Sequence, residues 1–206
     1  MVTDSLYAPY TDEKYRDFVK GLSTTDTLER KGIRIPVLRK LSKTIRPEEI
    51  DITYHEDVIL KGLSIGYEKT PAKVKLEKLT SLLPFLSSWD QTDTIVSAFK
   101  PKENEKELFY SYFTSLTESN EVYPKRLGIV WLMTNRKLYD RNENLERIIR
   151  ADDGDEYYIS MAVAWALSFF IIDDNSLLER LGEVSEVTKK RTEQKLRDSY
   201  RFNPRR

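Results

Sequence analysis

The sequence predicts an all-helical protein built as a curved stack of antiparallel helix pairs. Only seven glycines occur in 206 residues, and the eight prolines sit mostly between apolar segments. Apolar residues recur at three-and-four spacing rather than in alternation, the period of a helix with one buried face. Taken in order, Thr11 or Asp12 is placed to cap a helix over 13–22, because a short oxygen-bearing side chain there accepts from the first free N–H groups. Pro36 opens the next helix, where its missing N–H would have had no helical partner. Val37, Leu38, Leu41 and Ile45 supply the apolar face of that helix, and Pro47 ends it. The periodicity then predicts helices over 56–67, 71–86, 89–99, 102–117, 123–138, 142–149, 156–171, 175–181 and 185–200, all of ordinary length.

No Pro/Ser/Gly-rich linker divides these segments, so one domain over 1–206 is expected, ending in a basic helix and tail at 189–206. Short connections favour antiparallel neighbours. The runs 126–132 and 160–166, with Trp131 and Trp165 at matching places, resemble each other at a spacing of 34, within the range of helix-pair repeats. Stacked pairs form an α-solenoid whose concave groove gathers side chains distant in sequence. A globular helical domain with a chance internal similarity is the alternative.

With 39% apolar and 33% charged residues, the chain can bury a contiguous core without staples. Cysteine is absent and His55 is the single histidine. That excludes a thiolate zinc site, an iron–sulfur cluster, a cysteine nucleophile and any serine relay not routed through His55. Neither a glycine-rich dinucleotide loop, a phosphate-binding P-loop nor a zincin motif occurs, so no cofactor and no metal are expected. The start of the chain lacks the pattern of a secretory signal. The longest apolar run, 161–172, is broken by Ser168 and falls short of the roughly 18 residues that span a bilayer. A cytoplasmic monomer without membrane contact is the expectation.

Formal charge is zero, with 34 basic and 34 acidic residues, which argues against a uniformly basic nucleic-acid binder. The distribution is uneven, because 189–206 holds eight basic residues against Glu193 and Asp198, giving +6 there and −6 elsewhere. Lys189, Lys190, Arg191, Lys195, Arg197 and Arg201 are the candidate contacts to a phosphate backbone. A solvated amphipathic helix end is the equal alternative.

Trp89 and Asp93 are four residues apart on one predicted helix and so share a face. Their plain reading is a core anchor at a helix start, with Asp90 or Asp93 complementing the positive helix end. Trp165 and Trp131 lie in apolar helices where tryptophan is more often packing than ligand contact. Arg126 is expected as a solvated or phosphate-facing charge rather than a buried one. His55, beside Glu56 and Asp57, reads as a capping or surface residue. Tyr157 and Tyr158 can stack on bases, although tyrosine is equally an ordinary amphipathic residue. Gly62 and Gly66, four apart, suggest close helix packing.

Several separated motifs agree in order and spacing with one family. Gly32-Ile33-Arg34-Ile35-Pro36 followed by Arg39, the run 55–66 with His55, Gly62 and Gly66, the Trp89/Asp93 pair, Arg126, and the run from Tyr157 to Trp165 resemble the DNA alkylation repair family of AlkD-like HEAT-repeat DNA glycosylases. The resemblance runs from about Gly32 to Arg201. It implies HEAT-like repeats around a groove for double-stranded DNA and a place in the cytoplasm or nucleoid. It also implies hydrolysis of the N-glycosidic bond of cationic N3- and N7-alkylated purines, without a metal and without extrusion of the base. By the same resemblance Trp89 and Trp165 hold the lesion's deoxyribose, Asp93 is the catalytic carboxylate and Arg126 the basic residue of the cleft. Such a base leaves neutral and needs no general acid, while indole faces and a carboxylate complement the positive charge that moves onto the sugar.

One stretch departs from the family pattern. Between the first predicted helix and Gly32 the nine residues 23–31 are too few for the additional lesion-contacting helix and its turns. A catalytically weak or inactive DNA-binding member, possessing the site but not that helix, is therefore the first alternative. A protein-interaction solenoid, which neutral net charge permits, is the second.

Overall fold

The computed structural model describes residues 2–22 and 25–202 of the chain; Arg205 and Arg206 of the basic tail lie outside them. The described residues are all-helical, without strands. The chain clusters into two compact units, residues 1–109 and 110–206.

The first unit contains α1 (Val2–Tyr7), α2 (Glu13–Lys20), α3 (Ile35–Leu41), α4 (His55–Tyr67), α5 (Ala72–Leu82), α6 (Trp89–Ile95) and the start of α7 (Lys106–Leu116). Of the two candidate caps Asp12 is the one used, its carboxylate accepting from the Tyr15 N–H at 2.9 Å. Helix α4 is the centre of the unit, burying Val58, Leu60 and Leu63 completely and packing against α3, α5 and α6. Gly62 and Gly66 let α6 and the turn after it come close. A Cβ would stand 2.5 Å from the Ile95 side chain at Gly62 and 2.4 Å from the Ala98 Cβ at Gly66.

Several predicted helices are shorter than their patterns: the one opened at Pro36 ends at Leu41 instead of running to Pro47, and the 123–138 segment ends at Thr134. The 71–86 segment ends its α-helix at Leu82 because Pro84, without an N–H, allows only the tighter turn Leu83–Phe85. The 89–99 segment ends at Ile95, where the Ser97 hydroxyl donates to the Thr94 carbonyl at 2.6 Å and competes with the helical ladder. Helix α1 escaped the periodicity because it is only six residues long, yet it buries Tyr7 and Thr3.

Residues 25–34 form no helix, as the short 23–31 stretch predicts; Ser23 and Thr24 lie outside the described residues. This segment is instead fixed by side chains from α4. The buried Glu56 carboxylate accepts from the backbone N–H groups of Lys31, Gly32 and Ile33 at 2.9, 2.8 and 3.2 Å. Gly32 has φ 80°, and a Cβ there would lie 2.4 Å from the Asp12 carbonyl oxygen, so both conformation and space demand glycine.

The second unit holds the rest of α7 with α8 (Val122–Thr134), α9 (Arg141–Arg150), α10 (Tyr157–Asp173) and α11 (Glu186–Asp198). Helix α10, the most apolar, packs against α8, α9 and α11. Trp131 is fully buried and stacks on Phe113 with centroids 4.4 Å apart, so its assignment to the core is correct. The 175–181 segment is a 3-10 helix over Asn175–Glu183 rather than an α-helix. Among the described residues no helix is long and apolar enough to cross a membrane.

Candidate functional site

Helix α6 presents Trp89 and Asp93 on one face, one turn apart, and both side chains remain partly accessible. Its other polar residues are turned inward: Gln91 and Thr92 are fully buried and Thr94 nearly so. The Thr92 hydroxyl lies 2.8 Å from the Trp89 carbonyl and 3.1 Å from Asp93 Oδ1, holding both residues of the pair.

What fixes α6 is a buried polar cluster at its first turn. Asp90 receives Arg30 Nη1 at 2.8 Å and His55 Nε2 at 3.2 Å, and Arg30 also binds Asp26. Gln91 completes it, its amide nitrogen 3.2 Å from His55 Nδ1 and its amide oxygen accepting the Ser87 N–H at 2.8 Å. Each ring nitrogen of His55 thus has a polar neighbour, Nε2 the Asp90 carboxylate and Nδ1 the Gln91 amide. Burial pushes the Asp90 carboxyl up, but the hydrogen bonds from His55 and Arg30 outweigh it and hold the group far below the usual carboxylate range. Arg30 stays protonated for the reciprocal reason, its carboxylate partners overcoming its own burial.

His55 is thus corrected from a surface or capping residue to a fully buried one. A lone imidazole is stable there because both ring nitrogens find partners. Asp90 likewise does not simply complement a helix end; it is the acceptor of an ion pair spanning 60 residues. Arg30 was invisible to periodicity because it lies in a non-helical stretch and its partners are distant in sequence. Among the described residues no group of three or more histidine and carboxylate side chains is placed to hold a metal ion; the acids around His55 are occupied by Arg30.

In the second unit Arg126 is buried at 5% exposure, and its Nη1 donates to the Tyr158 carbonyl at 2.7 Å. The expectation of a solvated or phosphate-facing guanidinium is corrected here. A carbonyl in the first turn of α10 accepts from the charge and makes its burial tolerable. Tyr158 also faces Tyr123, with ring centroids 5.7 Å apart. Trp165, two turns farther along the same face of α10, is half-buried and meets Phe169 edge-on at 6.2 Å. The structure therefore places Trp89 with Asp93 in one unit, and Arg126 and Trp165 in the other.

Helix α11 turns Thr188, Thr192 and Leu196 toward α10. Its basic side chains differ in their commitments. Arg191 lies 4.7 Å over the Tyr157 ring and bonds to Ser160. Lys189 pairs loosely with Glu186 and Arg197 with Glu193, both at 3.9 Å, while Arg201 reaches Asp173 at 3.3 Å. Lys195 is half-buried and Lys190 exposed.

The described residues are all helical, and one short helix carries a partly accessible indole and carboxylate one turn apart. The family model described as DNA alkylation repair enzyme matches residues 4–181; the chain belongs to that family, and its function is of the DNA-repair type. The match begins earlier than Gly32 and stops before α11. No curated protein and no solved structure matches the chain.

Proposed function

We propose that the protein hydrolyses the N-glycosidic bond of purines carrying a cationic alkyl adduct at N3 or N7 in double-stranded DNA, its helix pairs stacking as HEAT-like repeats. The observation that carries this reading is the α6 face, where Asp93 stays accessible beside Trp89 while the neighbouring acid, Asp90, is taken up by Arg30 and His55.

The adduct's positive charge makes the base a good leaving group. As the C1′–N bond breaks, its electron pair goes to the purine, which departs neutral, and C1′ becomes an oxocarbenium centre. The face of Trp89 and the Asp93 carboxylate stabilise that charge. At about 4 Å and an effective dielectric of 20 a carboxylate contributes roughly 4 kcal/mol, about a thousandfold in rate. Water then adds to C1′ and gives its proton to Asp93. Arg126, buried on the Tyr158 carbonyl, acts as a positioning residue for the first turn of α10, the helix that carries Trp165.

The absence of helix over residues 25–34 favours a second reading, in which the protein binds duplex DNA but releases base slowly or not at all. Single-turnover release of N7-methylguanine from methylated duplex DNA separates the two. Release above background that drops about a hundredfold or more in Asp93→Asn supports the glycosylase. Background release by a folded, DNA-binding protein leaves the binding member.

A further inference from the structure

Arg39 was singled out by the sequence motif that follows Gly32, but the chemistry assigned to Trp89 and Asp93 does not use it. It stands on α3, half-buried, and its Nη1 donates to Ser97 Oγ at 2.6 Å and lies 3.5 Å from the Tyr67 hydroxyl. Ser97 itself donates to the Thr94 carbonyl, so its oxygen accepts from the guanidinium through a lone pair. Among the described residues neither Ser97, Tyr67 nor any other partner of Arg39 is a carboxylate. By contrast Arg16, Arg30, Arg34, Arg46, Arg136, Arg141, Arg147 and Arg180 each pair with an acid.

Position makes this un-neutralised charge meaningful. Ser97 lies in the 3-10 turn Val96–Ala98 that directly follows α6, so Arg39 is delivered to the C-terminal end of the helix that carries the indole and the carboxylate. Lys43, four residues beyond Arg39, holds its ammonium 5.6 Å over the Tyr67 ring. It also lines an open cavity of about 430 Å³ with Ser42, Ser64, Tyr67 and Glu68. Glu68, the acid of that cavity, is engaged by Lys78 at 2.6 Å, and Arg46 by Glu49 at 2.9 Å. Two cations, Arg39 and Lys43, thus flank Tyr67 without acid partners among the described residues. Hydroxyl bonds hold Arg39 in place, and its remaining N–H groups suit a bidentate anion.

We propose that Arg39, assisted by Lys43, receives a phosphodiester of the DNA strand whose sugar meets Trp89 and Asp93. This rests on the DNA-binding reading above and adds to it the group that sets the strand's register on α6. Salt titration of binding to a short unmodified duplex tests it, because each phosphate contact adds about 0.9 to the slope of log affinity against log salt. Arg39→Gln is expected to lower that slope by about 1 and low-salt affinity roughly tenfold, with a smaller loss in Lys43→Gln. Arg39→Lys, which keeps the charge, should retain the slope. An unchanged slope in Arg39→Gln overturns the assignment, as does an equal loss in Arg39→Gln and Arg39→Lys, which would trace the effect to the Ser97 and Tyr67 bonds. If the wild-type protein binds with a salt-dependent affinity or releases base while Arg39→Gln matches it, only the Arg39 role fails. A wild-type protein that neither binds nor releases base sinks the functional reading and this inference together.

Discussion

The first turn of α6 and the surface of α11 treat charge in opposite ways. Around α6, Arg30, Asp26, Asp90 and His55 come from segments far apart in sequence and are largely or wholly removed from water. Along α11 the Lys189–Glu186 and Arg197–Glu193 pairs are one turn apart, loose and exposed. A buried cluster has no second arrangement of comparable energy, so it fixes the helix that carries Trp89 and Asp93. Exposed pairs in a screened medium fix little and remain available to a polyanion. The same residue types therefore serve as architecture in one place and as field in the other.

The sharpest way to break the first region is to remove its cation. Arg30→Met leaves Asp26 and Asp90 facing each other in partial burial, and is expected to cost about 3–5 kcal/mol. Urea unfolding should show a lower midpoint with an unchanged slope. Adding Asp90→Asn to Arg30→Met should recover part of the loss, since no unpaired acid then remains at that position. Acid tells the same story. Folded Asp90 titrates far below the ordinary carboxylate range, whereas the unfolded chain titrates near about 3.9. The unfolded state binds more protons between those values, so this contribution is complete above about pH 4 and disappears as pH falls toward the folded value. A wild type and an Asp90→Asn variant with identical acid-unfolding profiles would contradict it.

A milder perturbation acts on the close approach behind the same face. Gly66→Ala would bring a Cβ to 2.4 Å from the Ala98 Cβ and 2.9 Å from the Ala98 backbone. Backbone cannot yield as a side chain does, so the variant is expected to lose about 1–3 kcal/mol despite alanine's better helix propensity. At Gly62 the obstacle is the Ile95 side chain, which can change rotamer, and Gly62→Ala should cost less. Thermal or urea unfolding of the two variants checks the order; the reverse order would mean that the turn after α6, not Ile95, is the softer neighbour.

These contrasts also mark what the sequence could disclose. Helix positions of eight residues or more followed from apolar spacing, Asp12 from capping chemistry, and the close approach at Gly62 and Gly66 from the absence of side chains there. The Trp89 and Asp93 face followed from a spacing of four. His55 and Arg126 were misplaced because burial of a polar group depends on partners that local pattern does not reveal. For His55 these are Asp90 and Gln91, for Arg126 the Tyr158 carbonyl. Arg30 and Glu56 were missed for the same reason, both binding across a loop of no periodicity. Short elements such as α1 escape because six residues hold too little of a period to be told from chance.

The smallest expected effect belongs to α11, and it decides what that helix is for. Lys190 is exposed and no acid pairs with it among the described residues, so Lys190→Gln should leave stability within about 0.5 kcal/mol of wild type. If α11 meets the DNA backbone, the same substitution lowers the salt slope of duplex binding by a fraction of one phosphate contact, less than Arg39→Gln does. Its charge works through a screened field rather than a held geometry. A slope that does not move assigns the basic surface of α11 to solvation alone. The helix would then serve only through Thr188, Thr192 and Leu196, as the cover of α10, and DNA affinity would have to come from other groups, with Arg39 and Lys43 the first to test.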